Sequence, residues 1–311
     1  MKTIGVGHGT GKIILMGEHA VVYGEPAIAF PFRGVRVTAT FNASAHNQIT
    51  SSHYSGLLAD APEALQIIQQ LTTHLCQQFD QGPFHLTIES TVPSARGMGS
   101  SAAVATAITR AFFDWIDVTL SDTDLLTYVN FSEAIAHGNP SGIDAATTSG
   151  SQPIYFEKGK DFEAFPLNID AYLLVADTGI LGRTREAVAA VAQLMKTKTE
   201  YTNHLIHHLG HLSRLTKEAI IHNQPHELGQ YMNLAQEDLR QLTVSNERLD
   251  ELIQLARDNG ALGAKLTGGG RGGCFIVLCQ DYQSATHIQT QLKYAGVKDT
   301  WMQGLGVYEH V

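Results

Sequence analysis

Two acids frame a turn-rich segment in the middle of the chain. Glu133 and Asp144 stand near the two ends of the sequence EAIAHGNPSGIDA, residues 133–145. Glu133 falls in the last turns of a predicted helix, where the helix dipole disfavours an acid, and Asp144 follows a Gly/Pro/Ser turn that fixes geometry. Carboxylates of this kind suit a magnesium ligand and a general base, respectively. The alternative is a solvated glutamate and a turn-forming aspartate.

A second segment has the composition of an anion-binding loop. In PSARGMGSSAA, residues 93–103, Gly97 and Gly99 keep the backbone tight, and Ser100 and Ser101 follow where a helix is predicted to begin. A helix amino terminus presents unpaired N–H groups and about half a positive charge, which suits a phosphate. The alternative is an ordinary loop with serine caps.

Glycine is in excess, with 29 in the chain against about 22 expected from average usage. The amino-terminal GVGHGTGK fails the P-loop pattern because Gly11-Lys12 is followed by Ile13, and it fails the dinucleotide pattern because no strand precedes it. Taken alone, Lys12 is typical of a surface lysine. KLTGGGRGGCFIVL, residues 265–278, holds five glycines between Gly268 and Gly273, which predicts close backbone approach to a ligand or to another loop.

Histidines and cysteines give weaker signals. One row of histidines has no acid or cysteine beside it, and the neighbouring leucines supply an apolar stripe. We therefore expect the row to face solvent, although its spacing allows metal binding. The row consists of His204, His207, His208 and His211. The three cysteines form no CxxC pair, and the spacing of Cys274 and Cys279 puts them on opposite faces of a strand. We expect buried thiols in a reducing cytoplasm.

Composition excludes several classes. The 311 residues predict about two domains, and the 43% hydrophobic and 16% charged content argues against disorder and against a coiled coil. A net charge of −9 with no basic stripe argues against a nucleic-acid partner. No apolar stretch approaches about 18 residues, so we expect no membrane segment.

Hydrophobic periodicity predicts an alternation of strands and helices. Strands are predicted at 12–16, 35–41 and 84–90, in AYLLVAD from Ala171, on either side of the 268–273 glycines and in WMQGLGVYE from Trp301. Helices are predicted from Pro62 to Phe79, after PSARGMGSS, from a cap at Ser121 to near Gly138, through most of 183–259, and near 283–294. A boundary near 165–170 divides the chain into domains 1–168 and 169–311.

Three blocks together carry a family resemblance. GKIILMGEHAVVYGEPAIAFP (11–31), PSARGMGSSAAVA (93–105) and KLTGGGRGGCFIVL (265–278) occur in order and at suitable separation, and the chain resembles the GHMP kinase superfamily of small-molecule kinases over essentially its whole length. HGNPSGID with GEHAVVYG resembles the members that phosphorylate mevalonate. Two departures are mild: Met98 replaces a usual leucine, and Arg96 occupies a position that is often small, where it adds charge near the phosphates.

The resemblance implies a role for each matching position. Asp144 matches the general base that takes the proton from the substrate's primary hydroxyl, and Lys12 matches the lysine beside that base, which stabilises charge on the transferring phosphoryl group. Ser101 and Glu133 match magnesium ligands. Glu18, His19 and Thr184 match positions that line the mevalonate pocket. The triphosphate cradle matches Pro93, Ser94, Ala95, Arg96, Gly97, Met98, Gly99, Ser100, Ser101 and Ala102.

The implied fold is α+β with two domains. The amino-terminal domain is expected to resemble ribosomal protein S5 domain 2, and the carboxyl-terminal domain to be ferredoxin-like. The implied activity is phosphorylation of the 5-hydroxyl of (R)-mevalonate in isoprenoid biosynthesis, with ATP as donor and Mg²⁺ as cofactor. Alternatives are another small-molecule kinase of the superfamily, acting on phosphomevalonate, homoserine or a sugar, or a non-catalytic ligand sensor on the same fold. Family members are often dimers, so a homodimer stays open for this chain.

Overall fold

A computed structural model describes residues 2–93, 96–137 and 142–308. The chain forms two compact units. The first contains residues 1–12, 31–93 and 99–151, and the second contains residues 13–30, 94–98 and 152–311. Each unit is thus assembled from separate stretches of sequence, and the domain ranges 1–168 and 169–311 stay a prediction.

Antiparallel pairing dominates the strands of the first unit. β2 pairs antiparallel with β5, β5 pairs parallel with β3, and β3 pairs antiparallel with β4. The alternating residues Val35, Val37, Ala39 and Phe41 of β2 are all buried, as their spacing predicts. The strands are β1 (Ile4–Met16), β2 (Ala27–Ala43), β3 (Gln48–Thr50), β4 (Ser55–Leu57) and β5 (Phe84–Ser90), of which residues 13–16 of β1 and 27–30 of β2 belong to the second unit.

The helices of the first unit pack around an alanine-rich helix. They are α1 (Gln66–Gln78), α2 (Ser100–Ile116), α3 (Asp122–His137) and α4 (Ile143–Ser149). α2 contacts each of the other three. The backbone N–H of Asp124 donates to the Ser121 hydroxyl, which confirms the predicted cap of α3. α1 begins later than predicted because a 3₁₀ turn occupies Glu63–Leu65.

The glycines of the amino-terminal GVGHGTGK sequence allow β1 to pack closely against α2. A Cβ placed on Gly5, Gly7 or Gly9 would come within 2.4 Å of atoms of α2, most of them backbone. Alternate glycines therefore let this strand lie directly against the helix. The prediction that the strand begins at Lys12 was wrong, since β1 begins at Ile4. Glycine lowers strand propensity locally, but here it allows close packing.

The second unit contains a four-stranded antiparallel sheet. Its strand order is β11-β8-β10-β9, and helices follow β8 and β10. This βαββαβ order confirms the ferredoxin-like expectation. The strands of the unit are β6 (Ile154–Phe156), β7 (Glu163–Ala164), β8 (Tyr172–Asp177), β9 (Gly263–Leu266), β10 (Cys274–Cys279) and β11 (Asp299–Gly304). The helices are α5 (Thr184–Thr197), α6 (Thr199–Ile221), α7 (Pro225–Gln241), α8 (Glu247–Asp258) and α9 (Tyr282–Tyr294).

Both cysteines of β10 are buried, as predicted. They lie at the two ends of the strand. Burial raises the pKa of the Cys279 thiol to about 12 and raises that of Cys274 as well, so both behave as small apolar side chains. Among the helices in the described ranges, none combines the length and the apolar character needed to cross a membrane.

Candidate functional site

Lys12 and Asp144 form an ion pair in the first unit. The Nζ atom of Lys12 lies 2.9 Å from Oδ1 of Asp144. The lysine side chain is 9% exposed, whereas that of the aspartate is 31% exposed. Asp144 lies in the first turn of α4, which begins after Gly142 in the left-handed region with φ 80°. The arrangement offers a fixed cation beside a carboxylate that a substrate can still reach.

Several contacts hold the elements that carry this pair. Gly99, with φ 67°, leaves room for the lysine stem, because a Cβ there would lie 2.5 Å from Cγ of Lys12. Arg110 of α2 donates to the carbonyl of His8 in β1 at 2.7 Å and to that of Ser149 in α4 at 2.8 Å. This guanidinium therefore joins β1, α2 and α4, the elements around the ion pair.

The predicted phosphate loop leads into α2, as its sequence suggested. Gly99 precedes the helix, and no described side chain caps the first turn. The N–H groups of Ser100, Ser101 and Ala102 are therefore free of helical partners. Met98 is buried, so it fills the usual leucine position as an apolar side chain. Ser94 and Ala95 lie outside the described residues, and Pro93 is half-buried before them.

Arg96 forms an ion pair with an acid of its own unit, and the expectation that it adds charge near the phosphates stays a prediction. Its Nε lies 3.0 Å from Oδ2 of Asp177, and both side chains are buried. The other carboxylate oxygen of Asp177 accepts from the N–H of Gly179 at 2.9 Å. The ion pair attaches Arg96 to the end of β8. Asp177 was missed by sequence reasoning because its partner is distant along the chain.

Ser101 and Glu133 belong to helices that pack together. Ser101 stands in the first turn of α2 and Glu133 on α3, where its side chain is 3% exposed. A hydroxyl and a carboxylate are hard oxygen donors of the kind that Mg²⁺ prefers. A buried acid near a helix carboxyl end is also disfavoured by the helix dipole unless positive charge compensates it. The donor chemistry of these two residues thus fits a magnesium ion.

The glycine cluster before β10 lies against the phosphate loop, as the excess of glycines predicted. The Cα of Gly268 is close to Gly97, although a Cβ on either would make only ordinary contact with the other. The approach that requires glycine is to other loops, because a Cβ on Gly270 would lie 2.1 Å from the carbonyl oxygen of Val244. A Cβ on Gly273 would lie 3.4 Å from the carbonyl oxygen of Arg96. The side chain of Arg271, which lies within the cluster, donates from Nε to the carbonyl of Thr243 at 3.1 Å.

The three residues predicted to line a substrate pocket lie in the second unit, two of them against Gly269. Nε2 of His19 is 3.1 Å from the Gly269 carbonyl, and a Cβ on Gly269 would lie 2.0 Å from Oγ1 of Thr184. Burial lowers the pKa of His19 to about 4. The imidazole is therefore neutral at pH 7. Because a carbonyl only accepts, Nε2 carries the proton and Nδ1 is an acceptor.

Lys265 adds a buried charge that sequence reasoning missed. Its ammonium group forms an ion pair with Glu18, the third predicted pocket residue, and donates to the carbonyl of Leu266 at 2.8 Å. Burial lowers the pKa of Lys265, an effect that Glu18 opposes. A lysine inside the apolar strand before the glycine loop was the available signal. Its partner lies 247 residues away, so no local spacing could identify it.

The histidine row faces outward, as predicted, with two of its members in acid contacts. Nδ1 of His207 lies 2.7 Å from Glu25, and Nδ1 of His208 lies 2.7 Å from Asp238. The inference that no acid accompanies the row was wrong, because both acids come from other elements. Within the described ranges no group of three or more potential ligands is placed to hold a metal ion.

Comparison with known proteins agrees with these features. The GHMP kinase amino-terminal domain matches residues 66–151, and the GHMP kinase carboxyl-terminal domain matches residues 216–298. The mevalonate kinase of Pyrococcus abyssi is 33% identical over 308 residues, which cover 92% of this chain and 91% of that protein.

Solved structures extend the similarity to three dimensions. The mevalonate kinase of methicillin-resistant Staphylococcus aureus MRSA252 is 34% identical with a TM-score of 0.78, covering 98% of this chain and all of that one. The L. major mevalonate kinase in complex with R-mevalonate is 25% identical with a TM-score of 0.85, covering 97% and 96% of the two chains. The chain therefore belongs to the GHMP kinase family and, within it, to the mevalonate kinases.

Proposed function

We propose that the chain transfers the γ-phosphoryl group of ATP to the 5-hydroxyl of (R)-mevalonate. The observation that carries the chemistry is the ion pair of Lys12 and Asp144 at 2.9 Å beside the start of α2. The choice of mevalonate is supported by relatives named mevalonate kinase, to which this chain is similar over nearly their full length.

Asp144 is proposed as the general base. Its carboxylate accepts the proton of the 5-hydroxyl while the hydroxyl oxygen attacks the γ-phosphorus. A new O–P bond forms, the bond between the γ-phosphorus and the bridging oxygen breaks, and ADP leaves with that oxygen. Lys12 holds the carboxylate in place and stabilises negative charge on the transferring phosphoryl oxygens. The protein thus supplies position and electrostatics, with no covalent intermediate.

The start of α2 is proposed to bind the phosphates. Its uncapped N–H groups from Ser100 to Ala102 point along the helix axis, where the dipole favours an anion. Ser101 and Glu133 are proposed to hold Mg²⁺, which neutralises phosphate charge when bound. Gly97 and Gly99 are proposed to let the backbone approach the triphosphate, since both adopt the left-handed region.

Glu18, His19 and Thr184 are proposed to contact mevalonate. Nδ1 of the neutral imidazole is an acceptor, so it fits a hydroxyl group of the substrate and does not fit a carboxylate. The Thr184 hydroxyl can both donate and accept, and it lies beside Gly269, whose carbonyl orients His19. Lys265 is proposed to keep Glu18 in place.

An ADP-release assay with a panel of alcohols tests the substrate. The purified chain is given ATP, Mg²⁺ and, separately, mevalonate, phosphomevalonate, homoserine and galactose. We expect turnover with mevalonate at least tenfold faster than with the others. Turnover with another alcohol alone would assign the chain to a different kinase of the family, and turnover with none would indicate a ligand-binding protein without activity.

A further inference from the structure

Glu25 lies against one face of α6. Its Oε1 accepts from Nδ1 of His207 at 2.7 Å, and its Oε2 accepts from Nη2 of Arg214 at 2.9 Å. The carboxylate side chain is only 13% exposed although both partners reach solvent. Two donors on one carboxylate, an imidazole and a guanidinium at separate oxygens, fix the orientation of that side chain more firmly than a single surface pair does.

Gly210 completes this arrangement. A Cβ at position 210 would lie 1.8 Å from Oε2 of Glu25, so the carboxylate rests where any other residue would place a side chain. His207, Gly210 and Arg214 are three and four residues apart and share one helix face. We name these three residues the α6 seat.

Glu25 ends a tightly folded segment, residues 17–25, which we name loop 17–25. Its residue His19 has φ 61°, in the left-handed region that a residue with a Cβ rarely adopts. Such a conformation persists where the surrounding contacts determine it. At one end of the loop the Glu18 carboxylate is paired with buried Lys265, and at the other the Glu25 carboxylate occupies the α6 seat.

We propose that Glu25 and the α6 seat position loop 17–25, and thereby His19, for binding of mevalonate. Among the described residues the side chain of Glu25 bonds to His207 and Arg214, so its proposed role is that of a positioning residue. The backbone transmits the restraint, since the N–H of Glu25 donates to the carbonyl of Ala20 at 3.3 Å, directly after His19. The inference rests on the proposed function, because mevalonate as the ligand of His19 is part of that proposal.

Two variants disturb the seat by different routes. Glu25→Gln removes the charge and keeps the shape. Gly210→Ala keeps every charge and displaces the carboxylate by steric contact, while alanine favours the helix. His208→Gln is the matched control, because it breaks a histidine–carboxylate contact of the same 2.7 Å length on the same helix, to Asp238 of α7.

Steady-state kinetics and hydrogen exchange are measured on all four proteins. We expect both seat variants to raise the KM for mevalonate about fivefold or more and to leave the KM for ATP within about twofold. Amide exchange of residues 19–25 should accelerate in both. The control His208→Gln should change neither the KM for mevalonate nor the exchange rate of residues 19–25. This should hold even if the substitution lowers the unfolding midpoint as much as Glu25→Gln does.

Equal changes in the two KM values, or an unchanged exchange rate in loop 17–25, would overturn the proposal. If the wild-type chain does not phosphorylate mevalonate, the proposed function fails on its own. The exchange measurement then still decides whether the seat holds the loop, because it needs no substrate.

Discussion

Buried charge in the second unit is concentrated on a few side chains. Lys265 is fully buried, and its partner Glu18 is 3% exposed. Removing two charges from water is costly, and their mutual attraction offsets that cost only while both are present. His19, the next residue after Glu18, avoids the cost by remaining neutral. The conformation of the proposed substrate loop therefore depends on the charge state of three neighbouring groups.

Substitution of Lys265 tests this dependence. Lys265→Met should lower the free energy of unfolding by about 3–5 kcal/mol, because the Glu18 carboxylate stays buried without its lysine. The double variant Lys265→Met/Glu18→Gln should recover much of that loss. Urea unfolding of the three proteins measures both quantities. A double variant no more stable than the single one would show that lost packing, and not charge, is responsible.

Acidification tests the neutral state of His19. Its pKa is about 4 in the folded chain against an ordinary 6.5, so the unfolded chain binds the extra proton between these values. Stability should therefore fall as pH drops below about 6.5, with a loss from this residue of about 2 kcal/mol between pH 7 and pH 5. Urea unfolding at both pH values should show a smaller loss in His19→Gln.

The control for this measurement is His226→Gln, which removes an exposed imidazole of α7. Its pH dependence should match that of the wild type. If His19→Gln also keeps the full wild-type loss between pH 7 and pH 5, the buried imidazole is not the source of the effect.

Residue types and motif order predicted much of the site. Lys12 lies beside Asp144, as the resemblance implied, and His19 and Thr184 both lie against Gly269. The catalytic and binding roles of these residues stay predictions. The partner of Arg96 was not predicted, because a motif shows which residues are present and not which acid each one contacts. Asp177 and Lys265 were missed for the same reason, since their partners lie far away along the chain.

The packing of β1 on α2 is the element-scale feature that places Lys12. Alternate glycines bring the strand against the helix backbone, and Lys12 follows three residues after the last of them, beside Gly99. Strand and helix together therefore determine the position of the lysine relative to α4, which carries Asp144. Arg110 reinforces the arrangement through carbonyls at both neighbours.

An added methyl group in β1 tests this account. In Gly7→Ala the new Cβ would lie 2.2 Å from the N atom of Ala111, so the strand must move away from α2. We expect a loss of about 1–3 kcal/mol in the free energy of unfolding and a lower kcat. Gly82→Ala is the control, because a Cβ there meets nothing within 4 Å. Equal effects of the two substitutions would exclude the close strand–helix contact.

Period-two and helical patterns predicted most elements, because β5 and the buried face of β2 alternate plainly. The start of β1 was not predicted, because glycine is typical of turns and only the neighbouring helix gives it a reason to lie in a strand. The end of the last predicted strand was also extended too far. β11 stops at Gly304, and a 3₁₀ turn follows at Gly306–Tyr308.

At the scale of the whole molecule, an acidic chain is proposed to bind two anions. The net charge is −9, so attraction must come from local groups: Lys12, the start of α2 and a bound cation. Fold class and family were predictable because three motifs stand in a fixed order. Which residues form each compact unit was not predictable, because separate stretches of the chain contribute to both units.

Ligand-dependent stability tests the cation. A non-hydrolysable ATP analogue at 100 times its Kd should stabilise the chain by about 2.7 kcal/mol, with tighter binding when Mg²⁺ is present. In Glu133→Gln, most of the rise in the thermal midpoint that depends on Mg²⁺ should be lost. The rise that the analogue produces without Mg²⁺ should be retained. Glu63→Gln, an exposed acid of the first unit, should behave as the wild type. An increment that survives in Glu133→Gln would remove this residue as a ligand.

The rate of mevalonate-dependent ADP release by the wild type and by Asp144→Asn, with binding of the ATP analogue measured alongside, tests the central claim most directly. The account predicts turnover by the wild type, a loss of roughly 10²–10⁴-fold in the variant, and analogue binding retained in both proteins. Near-normal turnover by Asp144→Asn, or no turnover of mevalonate by the wild type, would contradict it.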